Sequence, residues 1–329
     1  MDSLSQIVLG AATFALIKDK EIGKKALLYG AILGTIPDLD ILINPYFNAI
    51  EQLAIHRGFS HSIFFAFLLS LLTAKWFSYK YKTSYKSWFL ASFLALFTHP
   101  LLDLCTTYGT RIFYPLSKSF YSFDNVFVID PLYTIWLLIA CIALLFMKKD
   151  NLKRQSIIVC SLVLSTGYLF FGLCANFYVT QHFKTELKRQ NITFEKIKVV
   201  PTPFNTILWQ SIIKTKEGLY YADYSLLDSK STIEFHYEKN DVAFINSKKK
   251  IKELAPFFNF TEGYELAKLE NGKMHIYGTK FGPMNIEDGK AKFFFPLVFN
   301  EDGTYELSQK RPDDFTKILS RLFIRLKGN

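Results

Sequence analysis

The first 179 residues contain little charge. They hold 15 Lys and Arg and 10 Asp and Glu, against 24 and 19 in residues 180–329 of the 329-residue chain. Cysteine is scarce too: Cys105, Cys141, Cys160 and Cys174 all fall in the charge-poor part, without a Cys-x-x-Cys spacing. That pattern excludes a disulfide framework and a zinc knuckle, and leaves the thiols as small hydrophobes in or near helices. No basic region precedes the first apolar stretch and no small-residue cleavage site follows it, so insertion is expected from internal spans. Internal repeats and low-complexity tracts are also missing.

What is present is apolar. Half the residues are hydrophobic, 17% are aromatic and the mean hydropathy is +0.14, which excludes a disordered or collagen-like chain. The net charge of +10 fits nucleic acid, a membrane or a topology signal equally well until its distribution is read. Apolar stretches lie near 4–17, 24–36, 62–77, 87–104, 131–147 and 156–178, and only the last clearly reaches the ~20 residues that a hydrocarbon core demands. The segments between them sort by charge. Lys18, Lys20, Lys24 and Lys25 follow the first stretch, Lys75, Lys80, Lys82 and Lys86 the third, and Lys148, Lys149, Lys153 and Arg154 the fifth. Loops 37–61 and 99–130 carry only Arg57, Arg111 and Lys118. Twelve basic residues against three is the positive-inside asymmetry. A soluble bundle has no reason to sort lysines this way. The expectation is therefore a polytopic α-helical membrane domain of about six spans over 1–179, without a nucleic-acid partner. The histidine-bearing loops and everything after the sixth span are placed outside the cytoplasm.

Beyond Val179 alternation replaces apolar runs. Residues 197–200, 206–213 and 219–224 read as strands, with a turn at Lys216-Glu217-Gly218. Residues 246–258 read as helix, 263–299 as strands around Asn271-Gly272, and 313–326 as helix. Residues 180–329 thus form a soluble α+β domain of ordinary size.

Histidine and aspartate placement carries the chemistry. Pro37-Asp38-Leu39-Asp40 ends the second stretch, His56-Arg57-Gly58-Phe59-Ser60-His61-Ser62 opens the third, His99-Pro100-Leu101-Leu102-Asp103 closes the fourth, and Asp2 precedes the first. Three histidines and four carboxylates converge on one membrane face, where ionisable groups are costly and usually functional. Imidazole plus carboxylate suits Zn, with Mn or Fe as alternatives. Asp38, Asp40, His56, His61, His99 and Asp103 are the candidate ligands. Asp2 or Asp40 is the candidate general base, and Arg57 a bidentate clamp for phosphate. For any one of these residues capping or core packing is the plainer reading, and Asp2, Asp38 and Asp40 suit N-caps. A second cluster, with Thr107, Tyr108, Arg111 and Asp124, would bind substrate or support the ligands, or else serve as turn residues. Asp130-Pro131 reads as a helix start.

At these motifs the sequence resembles the YdjM-like family of bacterial inner-membrane proteins described as membrane-bound metal-dependent hydrolases. The matching residues are Met1-Asp2-Ser3-Leu4-Ser5-Gln6 with Gly10, Gly34 to Asp40, His56 to Ser62, His99 to Asp103, Thr106 to Thr110 and Ile129-Asp130-Pro131. Pro203-Phe204-Asn205 with Trp209 looks like the start of the soluble domain in longer members. Many members carry His where this chain has Gln6, so Gln6 either replaces a ligand or lines the site. The family is distantly similar to zinc-dependent phospholipase C and P1-type nucleases. The resemblance implies a multi-pass metal-dependent hydrolase of the bacterial inner membrane, the distant similarity favours a phosphoester substrate, and a site at the outer membrane–water boundary suits a lipid or lipid-linked one. The alternative is a metal-binding membrane protein with a transport, structural or signalling role. Transport is disfavoured because 24–36, 62–77 and 131–147 carry few polar groups beyond small hydroxyls.

Overall fold

Each apolar run of the first half becomes a helix: α1 (Ser3–Ile22), α2 (Lys24–Thr35), α4 (Ile63–Tyr81), α5 (Tyr85–Leu104), α6 (Pro131–Phe146) and α7 (Lys153–Arg189). A short α3 (Ala49–Ile55) stands between 3₁₀ stretches at Ile36–Tyr46 and Phe59–His61. The computed structural model describes residues 1–229, 232–287, 290–293, 296–308 and 315–328. Local chemistry sets the helix starts. Asp2 accepts from Ser5 N at 3.0 Å, Ser62 from Phe65 N at 3.0 Å and Asp130 from Leu132 N at 3.0 Å, satisfying amides that lack intrahelical partners. Among the described residues four stretches are long and apolar enough to cross a membrane: Lys24–Tyr46, Ile63–Tyr81, Tyr85–Leu104 and Lys153–Arg189. Helix α6 is shorter, at 16 residues.

The chain divides into two compact units, Met1–Phe47 with Ile55–Leu173, and Asn48–Ala54 with Cys174–Asn329. In the first, α1 and α2 pack with their backbones in contact. A Cβ on Gly10 would lie 2.5 Å from Gly30 O, and one on Gly34 would lie 2.8 Å from Gln6 O. Only glycine permits this approach, as at small-residue interfaces of membrane helices. Alanine at either position would cost on the order of 1–3 kcal/mol in overpacking. Phe14, Phe77, Trp88, Leu96 and Leu137 fill the core between the helices. At the basic end Arg154 Nε donates to Asp19 Oδ2 at 2.7 Å, and Lys18 Nζ sits 3.7 Å from the centre of the Trp88 ring. All three charged side chains are buried; Arg154 and Asp19 offset each other's desolvation, and Lys18 Nζ pairs with Glu21 Oε2 at 2.6 Å.

In the second unit β1 (Lys196–Pro201), β2 (Leu208–Lys214), β3 (Gly218–Ser225) and β4 (His236–Lys239) form an antiparallel meander. After α8 (Val242–Lys248) and α9 (Ala255–Thr261) come β5 (Glu265–Glu270), β6 (Lys273–Gly278), β7 (Asn285–Glu287), β8 (Lys290–Lys292), β9 (Leu297–Phe299) and β10 (Tyr305–Leu307). The second large sheet has the order β10-β9-β6-β5, and the chain ends in α10 (Phe315–Leu326). Residues 313 and 314 of the helix expected at 313–326 lie outside the described residues. Asn271 and Gly272 both adopt positive φ, +51° and +76°, in the two-residue turn that joins β5 to β6. The helix expected over 246–258 is instead two helices with a 3₁₀ turn at Lys252–Leu254. Pro256 has no amide to continue the preceding ladder, and it sits in the first turn of α9. The N-terminal region is thus helical and apolar, and the C-terminal part carries the sheets.

Candidate metal centre

Three backbone features bring four donors together. The 3₁₀ stretch after α2 presents Asp38, the 3₁₀ turn before α4 presents His61, and α5 carries His99 and Asp103 one turn apart on one face. One ligand atom from each lies within 4.8 Å of all the others. His61, His99 and Asp103 are buried, and Asp38 is partly exposed.

Proton bookkeeping fixes how the imidazoles present themselves. His99 Nδ1 lies 2.6 Å from Gly34 O, and a carbonyl only accepts, so Nδ1 carries the proton and Nε2 a lone pair. Ser60 Oγ donates to Asp40 Oδ2 at 3.0 Å and lies 2.9 Å from His61 Nδ1. The hydroxyl proton is committed to the carboxylate, so Ser60 accepts the Nδ1 proton of His61. Both Nε2 lone pairs then face inward, 3.2 Å apart. Asp38 Oδ1 lies 3.3 Å from each of them, and Asp103 Oδ2 lies 3.3 Å and 3.6 Å away. Asp103 Oδ2 is buried and receives no hydrogen bond. Four electron pairs aimed at one point repel unless a cation lies between them. A tetrahedral ion with bonds of ~2.0–2.2 Å has ligand–ligand edges of roughly 3.3–3.6 Å, and the five spacings that involve a histidine, 3.2–3.6 Å, come close to that. The residues present fit a divalent metal.

The same field attracts a proton when no metal competes. Burial works against a charged His61, but the carboxylates of Asp103, Asp38 and Asp40 around it outweigh it and push the pKa up to about 10.

Comparison with known proteins agrees with a membrane protein built around these motifs. The family described as YdjM inner membrane protein matches residues 1–179, more than half of the chain. The chain belongs to the YdjM inner membrane protein family. It is similar to the inner membrane protein YbcI of Escherichia coli (strain K12), 35% identical over 97 residues, which are 28% of this chain and 54% of that protein. The chain therefore spans about half the length of this curated relative. No solved structure matches.

The remaining residues singled out in the sequence of this YdjM-family chain surround the four donors. Asp40 and His56 stand outside the cluster and pair with each other, His56 Nδ1 lying 3.0 Å from Asp40 Oδ1. Asp40 Oδ2 also accepts from the Arg57 amide at 3.1 Å, which ties down a residue held at φ +57°. His56 is the more accessible imidazole, with 24% of its side chain exposed against none for His61. Arg57 is turned inward. Its Nη2 lies 3.3 Å from Asp103 Oδ1, its Nη1 donates to Thr106 Oγ1 at 3.0 Å and Gly109 O at 3.3 Å, and its guanidinium covers the Tyr108 ring at 4.4 Å. Gln6 Nε2 donates to Asp103 Oδ1 and to His99 O, both at 3.2 Å. The Met1 amino group also pairs with Asp103 Oδ1. One oxygen of Asp103 is thereby saturated with donors, and the other is left for a cation.

The second cluster is spread more widely. Thr107 is buried and Tyr108 half-buried, the Arg111 guanidinium lies 4.5 Å from the centre of the Phe120 ring, and Asp124 adopts φ +52° in the loop before α6. The Arg111 amide donates to Arg57 O at 3.2 Å and joins this loop to the histidine turn. Asp2 caps α1, with its Oδ2 accepting from Ser5 Oγ at 2.6 Å. Asp130 caps α6 and accepts from the Tyr168 hydroxyl at 2.8 Å. Ser60 and the Gly34 carbonyl hydrogen-bond the two imidazoles, contacts that sequence reasoning missed. Ser60 lies inside the histidine motif, between His56 and His61, which is the one signal that could have drawn attention to it.

Proposed function

We propose that this protein is a membrane-bound metal-dependent hydrolase acting on a lipid or lipid-linked phosphoester at the outer face of the inner membrane. The observation that carries the reading is the pair of inward Nε2 lone pairs of His61 and His99, closed by Asp38 and Asp103, at the ends of apolar helices. Bound there, a divalent ion, with Zn the best fit and Mn or Fe close behind, supplies Lewis acidity and makes water a nucleophile near neutral pH. The chain's own groups do the rest. Asp38 borders the accessible side. Asp40 accepts the Nδ1 proton of His56, which leaves His56 Nε2 as the basic atom at that edge. In this role Asp40 acts through His56. Tyr108, Thr107, Arg111 and Asp124 are proposed to shape the substrate side. The positive-inside asymmetry supports an extracytoplasmic site and C-terminal domain.

One feature favours a second reading. Four protein donors, three of them sealed from solvent, resemble a closed structural site more than a catalytic one, which usually keeps a position open. Metal analysis of the purified protein, followed by lipid phosphoester hydrolysis with and without chelator, separates the two. The hydrolase reading expects stoichiometric metal and chelator-sensitive turnover. Stoichiometric metal with no turnover of any phosphoester leaves a structural ion. Absence of metal overturns both.

A further inference from the structure

The two turns that carry Asp38 with Asp40 and His56 with His61 belong to the helical unit, yet the residues joining them do not. Residues 48–54 pack with the β-rich unit. Ile50 is 7% exposed and shares a core with Ile245, Leu254, Phe257, Ile276, Leu297 and Phe299, and Leu53 packs against the same cluster.

The local sequence is built to make this short helix. Asn48 Oδ1 accepts from the amides of Ile50 at 3.0 Å and Glu51 at 2.9 Å, and Glu51 Oε2 accepts from Asn48 N at 2.9 Å. This reciprocal arrangement is a capping box. Seven residues are nevertheless too few to hold a helix in water, so α3 owes its order to the core it docks on. On either side of α3 the chain returns to one carboxylate: Asp40 itself precedes it, and His56 Nδ1 and the Arg57 amide close back on Asp40 after it, at 3.0 Å and 3.1 Å. Undocked, the intervening residues would be a flexible loop whose closure costs entropy. Docked, that cost is met in advance by the core that holds α3.

We propose that Ile50 and Leu53 are positioning residues for the metal centre: by docking α3 they hold the Asp38–Asp40 turn against the His56–His61 turn. The proposal rests on the metal reading above for its affinity consequence, but its geometric part stands alone. By linkage, anything that loosens α3 from its core weakens metal binding, and metal binding in turn tightens the hold on α3.

The test uses the full chain in detergent, with Ile50→Asp, the milder Ile50→Ala with Leu53→Ala, and the conservative Ile50→Leu. Zn²⁺ affinity is measured by chelator competition, and amide exchange is followed over 36–46 and 55–62. Exchange in α5 and in β2–β3 reports whether each unit stays folded. The expected result is Zn²⁺ binding weakened by at least tenfold and faster exchange over 55–62 in the first two variants, with α5 and β2–β3 unchanged and Ile50→Leu close to wild type. If Ile50→Asp disrupts the β-rich unit, the alanine pair decides. Wild-type affinity and wild-type exchange over 55–62 in the alanine pair would overturn the proposal. If the wild-type chain itself takes up no Zn²⁺, the hydrolase reading fails, and the exchange over 55–62 alone decides whether α3 positions these turns.

Discussion

His61 Nε2 and His99 Nε2 face each other across 3.2 Å, each with its Nδ1 proton committed to an oxygen behind it. Neither ring can turn to relieve the contact without abandoning Ser60 or Gly34. His61→Ala and His99→Ala should each weaken Zn²⁺ binding by more than about 100-fold, beyond the roughly 10–100-fold that loss of an outer partner costs. Asp40→Asn and Ser60→Ala, which leave the four donors in place and disturb the support of His61 and, for Asp40, of His56 and the Arg57 amide as well, should fall within that smaller range. Chelator competition on the purified variants gives the ranking. Equal losses at His61 and Ser60 would argue against His61 as a direct ligand.

Metal uptake should be coupled to a proton. With the His61 pKa near 10, the metal-free protein holds a proton on His61 throughout the neutral range. A metal must expel it, since the ligand is the neutral imidazole. Affinity should therefore rise with pH, by about tenfold per unit between roughly pH 6 and 9, and flatten above the His61 pKa. Zn²⁺ titrations in buffers of different ionisation enthalpy read the released proton directly. A flat profile would mean that His61 is already neutral before the metal arrives.

Arg57 is engaged with Asp103, Thr106 and Gly109 and lies over Tyr108, so its first consequence falls on the ligand rather than on substrate. Arg57→Lys keeps the charge but loses the planar fork. It should lower Zn²⁺ affinity about tenfold, which corresponds to about 1.4 kcal/mol, together with thermal stability. Arg57→Ala leaves Asp103 with less compensation and should cost about 3–5 kcal/mol of stability. Thermal unfolding and metal content measured together make the check. Normal values for both, with slower phosphoester turnover alone, would return Arg57 to the phosphate-clamping role that its place in the motif first suggests.

Much of this arrangement is legible in the sequence because it depends on local rules. Six apolar stretches become α1, α2 and α4–α7, and 197–200, 206–213 and 219–224 fall within or across β1, β2 and β3. The four donors stand out because histidine and aspartate are conspicuous at the ends of apolar runs. Less legible is which oxygen each imidazole leans on. Asp40 and His56 have the chemistry of ligands, and only the tertiary path of the 3₁₀ turns pairs them with each other instead. The fate of 48–54 is hidden for a similar reason. A single buried turn with Ile50 and Leu53 has the composition of a loop, and the core that claims it is supplied by residues about 200 positions later.

On α1, Gln6 touches Asp103 while Asp19 pairs with Arg154, and the 13 steps from one to the other span about 20 Å of helix. The metal centre and the basic staple therefore occupy opposite ends of the helical unit. Lys18, Lys20, Lys149, Lys153 and Arg154 gather at the staple end, where the positive-inside rule places the cytoplasm. Helix α7 starts at that end, so the same rule expects the chain that follows it outside the cytoplasm. A reporter active only in the cytoplasm, fused after Asn329, should stay silent, and one that requires export should be active. The opposite pattern would place the site in the cytoplasm and remove the case for a substrate in the outer leaflet, while the four-donor geometry would stand unchanged.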